Sequence, residues 1–227
     1  MHESDSFSAI QGADHGHSQT WRHRLSFHAQ PLTSGSGSVR IIIVPGWRNS
    51  GPGHWQSLWA NRLAGVVRVQ QDDWITPSRQ AWVATLARTI LLQGEPVVVV
   101  AHSLGCIATA HLPPEAAARI QGALLVAPAD PERRAILSDF APVPFQKLPY
   151  RSVLVASSND PYCPVRLAGA YARAWGSEFV RLPEAGHINI ESGHGEWPLG
   201  VALLQSLVGD ARLNSSSFSY SVSLETA

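Results

Sequence analysis

The chain has 227 residues, 44% hydrophobic and 15% charged, with eight tryptophans, which suits one domain with a sizeable core and flanking tails. Seventeen basic residues balance seventeen acidic ones, which argues against nucleic acid or an anionic membrane as the main partner. No apolar run reaches a membrane span, and the N-terminus lacks the basic-then-apolar pattern of a signal peptide, so a cytoplasmic location is expected. Cys106 and Cys163 do not make a secreted disulfide framework; both are expected as free thiols near the carboxyl ends of core strands, close to the pocket.

Residues 1–38 are rich in Ser, His, Gly and Gln without sustained periodicity and read as a flexible extension. Four of its histidines, His15, His17, His23 and His28, read as solvated, and no metal is expected. Val39 to Val44 is the first core strand, and a Gly/Pro-punctuated loop from Pro45 leads into a helix from about His54 to Leu63. Trp55 and Trp59, four apart, should pack that helix on the sheet. Val66 to Gln70 is the next strand. Thr76 as N-cap and Pro77 at the first helical position then start a helix whose buried face is Trp82, Val83, Leu86 and Ile90. Asp72 and Asp73 are adjacent and point apart, so they read as a solvated turn.

Val97-Val98-Val99-Val100 is a strand apolar on both faces, as a central parallel strand must be. It runs into Ala101-His102-Ser103-Leu104-Gly105 and, without a gap, into an apolar helical start. Strand, tight turn with Ser at its apex, helix: this is a nucleophile elbow, with Ala101 where glycine is more usual. The helix after it ends at Pro113-Pro114, and residues 115–120 form a short helical link. Ala123 to Ala127 is another buried strand. Residues 128–150, rich in Pro and aromatics, read as a lid-like insertion or pocket wall, with Phe140 and Phe145 toward substrate. A strand from Val153 to Ser157, a helix over 165–175 and a strand from Glu178 to Leu182 follow. A final helix from Pro198 to Val208 stops at Gly209, and the Ser-rich tail from Asn214 reads as disordered. The expected domain is thus 39–209, with about six strands in a mostly parallel, doubly wound sheet and helices on both faces.

An unassisted serine hydroxyl is a poor nucleophile and needs a base, which in turn needs an acid to fix its tautomer. His187 follows a strand end and a glycine, and the order Ser103, Asp160, His187 is the order such elbows require. Asp130, at the end of the preceding strand, is the alternative acid. His54, His102, His111 and His194 compete less well as base; His102 should point away from the elbow. The N–H groups of Leu104 and Trp47 are expected to form an oxyanion hole, with Gly46 allowing close backbone approach, and Gly46 and Trp47 are also expected against substrate.

Pro45-Gly46 with His54-Trp55-Gln56, Asp73-Trp74, Ala101 to Gly105, Phe140 to Pro144, Ser157 to Cys163, Ala174 to Ser177, and Gly186-His187-Ile188-Asn189 through Gly195-Glu196-Trp197-Pro198 together resemble one family. It is the small α/β-hydrolase-fold serine hydrolases related to retinoblastoma-binding protein 9 and the bacterial YdeN proteins. The resemblance covers about residues 39–208 and implies a minimal α/β-hydrolase fold with Ser103, Asp160 and His187 as triad. It implies an esterase-like or peptidase-like activity on a small acyl ester or amide, without a cofactor, and leaves the substrate open. The rivals are a hydrolase-fold protein that serves as a binding module, and a thioesterase or acyl-transferase. The last would call for a basic rim around the pocket, and no basic cluster stands in the sequence.

Overall fold

The structure is a computed structural model and describes residues 39–208. The extension expected over 1–38, Gly209 and the tail from Asn214 lie outside those residues. Six strands alternate with helices: β1 Arg40–Val44, α1 Trp55–Arg62, β2 Val66–Arg68, α2 Arg79–Leu91, β3 Val97–His102, α3 Leu104–Ala110, α4 Pro114–Ala117. There follow β4 Ile120–Val126, β5 Arg151–Ser157, α5 Val165–Trp175, β6 Glu178–Leu182 and α6 Pro198–Val208. All pairings are parallel, in the order β2-β1-β3-β4-β5-β6.

Period-2 alternation sorts the strand side chains into two apolar layers. Ile42, Val44, Val97, Val99, Leu125 and Leu154 face the layer that holds Trp82 and Leu86 of α2, Ile107 of α3 and Trp175 of α5. Ile41, Ile43, Val98, Val100, Leu124 and Val153 face the layer of Trp55 and Trp59 from α1 and Leu204 and Leu207 from α6. Because both faces are covered, the central strands read as continuous apolar runs. Of the edge strands, β2 is half-buried and β6 is mostly exposed.

Local signals moved a few boundaries. The helix expected from Thr76 starts instead after Ser78, whose hydroxyl caps Ala81 N–H; Asp73 takes the N–H groups of Ile75 and Thr76 in a side-chain-closed turn. His54 is the N-cap of α1, accepting Gln56 N–H at Nδ1. The link expected at 115–120 is the single turn Pro114–Ala117, because β4 begins earlier than its apolar run suggested. Residues 128–150 hold two 3-10 turns, Pro131–Arg133 and Ala135–Phe140, and send Leu137, Phe140, Leu148 and Tyr150 into the core. No helix among the described residues is long and apolar enough to cross a membrane.

The chain leaves β1 toward β2 and then returns to place β3 on the other side of β1. Such a reversal opens a crevice at the carboxyl ends of the two strands. Val44 pairs with Ala101, so the loop from Pro45 and the turn at Ser103 emerge side by side.

Candidate active site

Ser103 sits at the mouth of that crevice with φ 54° and ψ −122°, strained for a residue with a Cβ. Its N–H donates to Val126 O at 3.0 Å and its carbonyl accepts Ala129 N–H at 3.3 Å, so the turn is sewn to the end of β4. Two glycines make it possible. A Cβ on Gly105 would stand 2.5 Å from Val44 O, and one on Gly46 would stand 2.7 Å from Ser103 Cβ. Ala101, fully buried, tolerates its methyl.

His187 lies in a loop with Glu184, Gly186 and Ile188 all at positive φ. The loop is held from three sides. Asn159 Oδ1 accepts Gly186 N–H at 2.8 Å, and Ser158 Oγ accepts Glu184 N–H at 2.9 Å. Trp55 Nε1–H donates to Ile188 O at 2.9 Å. His187 Nε2 lies 3.0 Å from Ser103 Oγ, and His187 Nδ1 lies 2.9 Å from Asp160 Oδ2 and 3.0 Å from Oδ1. Asp160 also accepts Tyr162 N–H at 2.8 Å. Hydroxyl, imidazole and carboxylate thus form one hydrogen-bonded line, each residue only 8% exposed. Asp160 at Nδ1 puts the imidazole proton on that nitrogen and leaves Nε2 as an acceptor for the serine O–H.

Two further histidines stand behind this line. His102 does not simply point away: its Nε2–H donates to His187 O at 2.9 Å. Burial, then the nearby His187 and His54, hold its pKa well below the usual range, so it is the neutral donor tautomer. His54, its ring 4.8 Å from that of His102, is lowered to about 4, first by burial and then by Arg68 and His187. His111 instead bonds Phe140 O from α3's far end, and His194 packs beside Trp197. Asp130 is not bonded to His187; its Oδ1 accepts Glu132 N–H.

A cavity of about 220 Å³ opens over Ser103 and His187. Trp47 lines it, its ring fixed by Nε1–H donation to Ile75 O, while the flanking Arg48 N–H goes to Trp74 O and Asn49 N–H to Gly46 O. Leu104 is the first residue of α3, so its N–H has no partner within the helix. The insertion contributes Ala129, Asp130, Arg134 and Leu137 to the wall. Of the residues expected against substrate, Trp47 lines the cavity, whereas Gly46, buried beneath Ser103, and Phe140 and Phe145 do not. Phe140 is fully buried against Trp82, and Phe145 packs outward on Tyr171. Both cysteines are free, but neither lines the cavity; burial pushes both thiols up, Cys163 to about 12, and leaves them inert. Tyr162, Arg48 and Arg134 do line it and were not anticipated; the sequence signal for Tyr162 was only its place two residues after Asp160. Among the described residues, no group of three or more His, Cys, Asp or Glu is placed to hold a metal ion.

The sequence model of the family described as serine hydrolase matches residues 41–206. A YdeN-like hydrolase from Pectobacterium atrosepticum is 35% identical, with a TM-score of 0.69 over 75% of this chain and 90% of its own. The ydeN gene product of B. subtilis is 22% identical, with a TM-score of 0.63 over 75% of this chain and 98% of its own, a likeness of fold. No curated protein matches the chain.

Proposed function

The chain belongs to the serine hydrolase family, and from that premise we propose that Ser103, His187 and Asp160 form its catalytic triad and cleave a small carboxylic ester through an acyl-enzyme. The observation that carries this reading is the unbroken line from Ser103 Oγ through His187 to Asp160, at 3.0 and 2.9 Å. Ser103 Oγ attacks the carbonyl carbon while its proton passes to His187 Nε2, and the negative charge moves to the carbonyl oxygen. The N–H groups of Leu104 and Trp47 receive that oxyanion. His187 returns the proton to the leaving alkoxide, which departs as alcohol and leaves the acyl group on Ser103. Water then loses a proton to His187, attacks the acyl carbon, and releases a carboxylic acid as Ser103 regains its proton. Asp160 stays ionised throughout and stabilises the imidazolium. His102 fixes the loop carbonyl behind the base. Ester over amide is favoured by the small cavity, which suits a short acyl or alcohol group better than a peptide.

A fluorophosphonate probe is expected to label Ser103 in the native chain, with labelling lost in Ser103→Ala and His187→Ala, while both variants keep the native melting temperature within a few degrees. Asp160→Asn should lower kcat on p-nitrophenyl acetate by about 10⁴ through the wrong tautomer of His187. A folded native chain that takes no label would overturn the assignment and leave a binding module as the better reading.

A further inference from the structure

Around the cavity mouth runs an arc of rings and guanidinium groups: the Tyr162 ring lies 4.3 Å from His187, Arg134 lies 4.6 Å over Tyr162 and 5.8 Å over Trp47, and Arg48 lies 4.3 Å over Trp47. Two guanidinium groups distant in sequence are thereby placed between the proposed base and the proposed oxyanion loop, and both line the cavity. The basic rim that the sequence did not display is assembled by the fold.

Among the described residues, neither arginine has a carboxylate within ion-pair distance. Ion pairs among the described residues join Arg62 to Glu196, Arg151 to Glu178 and His187 to Asp160, and none of these involves Arg48 or Arg134. Asp130 and Glu191 also line the cavity, yet neither comes within ion-pair distance of Arg48 or Arg134, and one oxygen of Asp130 is engaged by Glu132 N–H. Both arginines are exposed, and the backbone of Arg48 is fixed. Arg48 is held at φ 66° with its N–H on Trp74 O, and the next residue, Asn49, is clamped by Arg68 at 2.6 Å. Stacking on aromatic faces leaves the in-plane N–H groups of a guanidinium free for a planar anion, and a carboxylate can take two of them at once.

We propose that Arg48 and Arg134 form a carboxylate subsite, so that the preferred substrate is a small ester carrying a carboxylate a few bonds from the scissile carbonyl. This rests on the serine-hydrolase reading and narrows its substrate class. The reaction is unchanged; the carboxylate is held and not transformed.

The test pairs two small esters with their neutral carboxamide counterparts. Monomethyl glutarate carries the carboxylate on the acyl side, and 4-acetoxybutanoate carries it on the alcohol side. Hydrolysis is followed by pH-stat for the native chain, Arg48→Gln, Arg134→Gln and the double variant, and the ratio of charged over neutral kcat/KM is read within each protein. The native chain is expected to prefer one charged ester by about tenfold at low salt, and less at 1 M NaCl. Each single variant should lower the ratio, and the double variant should bring it near one. Arg48→Lys and Arg134→Lys should keep only part of it, since a point charge lacks the fork. A native ratio near one for both pairs, or a ratio that survives in the double variant, overturns the subsite. Hydrolysis of none of the esters by a chain whose Ser103 still takes the fluorophosphonate overturns the carboxylate assignment alone. A chain that takes no label overturns the underlying serine-hydrolase reading instead.

Discussion

At Gly46 the absence of a methyl group decides whether two loops can meet. An alanine there would bring a Cβ to 2.7 Å from Ser103 Cβ and 3.0 Å from His102 O, so one loop must retreat. Overpacking of this kind costs about 1–3 kcal/mol, and a displacement near 1 Å at a reacting centre costs about a hundredfold in rate. Gly46→Ala is therefore expected to keep the fold, lower the melting temperature by a few degrees, and cut kcat/KM by about a hundredfold on p-nitrophenyl acetate. Full activity would show that the proposed oxyanion loop does not depend on this approach. Gly46 was legible in the sequence because glycine after a strand end admits few explanations. Phe140 was misplaced because aromatic character alone does not tell a pocket wall from a core. Its side chain fills the space beside Trp82, and its carbonyl meets His111.

Helix α6 shows how one element is fitted to its neighbours. Its apolar face packs on β3, β4 and β5, and just before it Trp197, at φ 44°, places its ring 5.0 Å from Trp55 and stacked 6.0 Å from Trp59. Gly200 lies one turn on, and a Cβ there would fall 2.1 Å from Trp197 Cε3. A glycine inside a helix ordinarily costs about 1 kcal/mol against alanine, so the exchange should stabilise α6 if nothing stood in the way. The ring does stand in the way, wedged by two other indoles. Gly200→Ala is expected to lower stability by about 1–3 kcal/mol in a urea titration; a gain would mean that Trp197 can move freely. The indole of Trp55 also donates to the carbonyl after His187, so loosening this layer should reach the site. The helix itself was readable from its apolar run, but the aromatic cluster was not, since Trp197 meets Trp55 and Trp59 only through tertiary contact.

For the molecule as a whole, the buried histidines His54 and His102 are expected to make stability fall with acid. Unfolded chain binds a proton on each histidine as pH falls through about 6.5, whereas folded His54 stays neutral to about pH 4. The unfolded state binds more protons across that window, so stability is fully present above about pH 6.5 and is lost as pH falls toward about 4. His54 alone accounts for about 3 kcal/mol, or about 6–12 °C in melting temperature, and His102 acts in the same direction. The comparison to make is of melting temperature at pH 7.5 and 4.5 in the native chain and in His54→Asn, which keeps a cap for α1 without a titrating ring. The variant should lose distinctly less stability on acidification. Equal losses would place the acid sensitivity elsewhere.

The parallel sheet, the elbow and the order Ser103, Asp160, His187 could be read from the chain, because each rests on local pattern: apolar runs, a turn that requires small residues, and residues at strand ends. The sequence by itself also favoured Asp160 over Asp130, and the fold brings Asp160 to His187 at 2.9 Å while Asp130 caps a 3-10 turn. What only the tertiary structure decided is where side chains from separate loops converge. His102 under the His187 carbonyl, Asn159 tying that loop to β5, and Arg48 with Arg134 over Trp47 join residues far apart in the chain. Such encounters depend on the twist of the sheet and the reach of whole side chains. A one-dimensional pattern records which faces are apolar and that residues 128–150 could form a wall, but it carries no distance between loops, and so which side chains of that segment face the pocket could not be read from it.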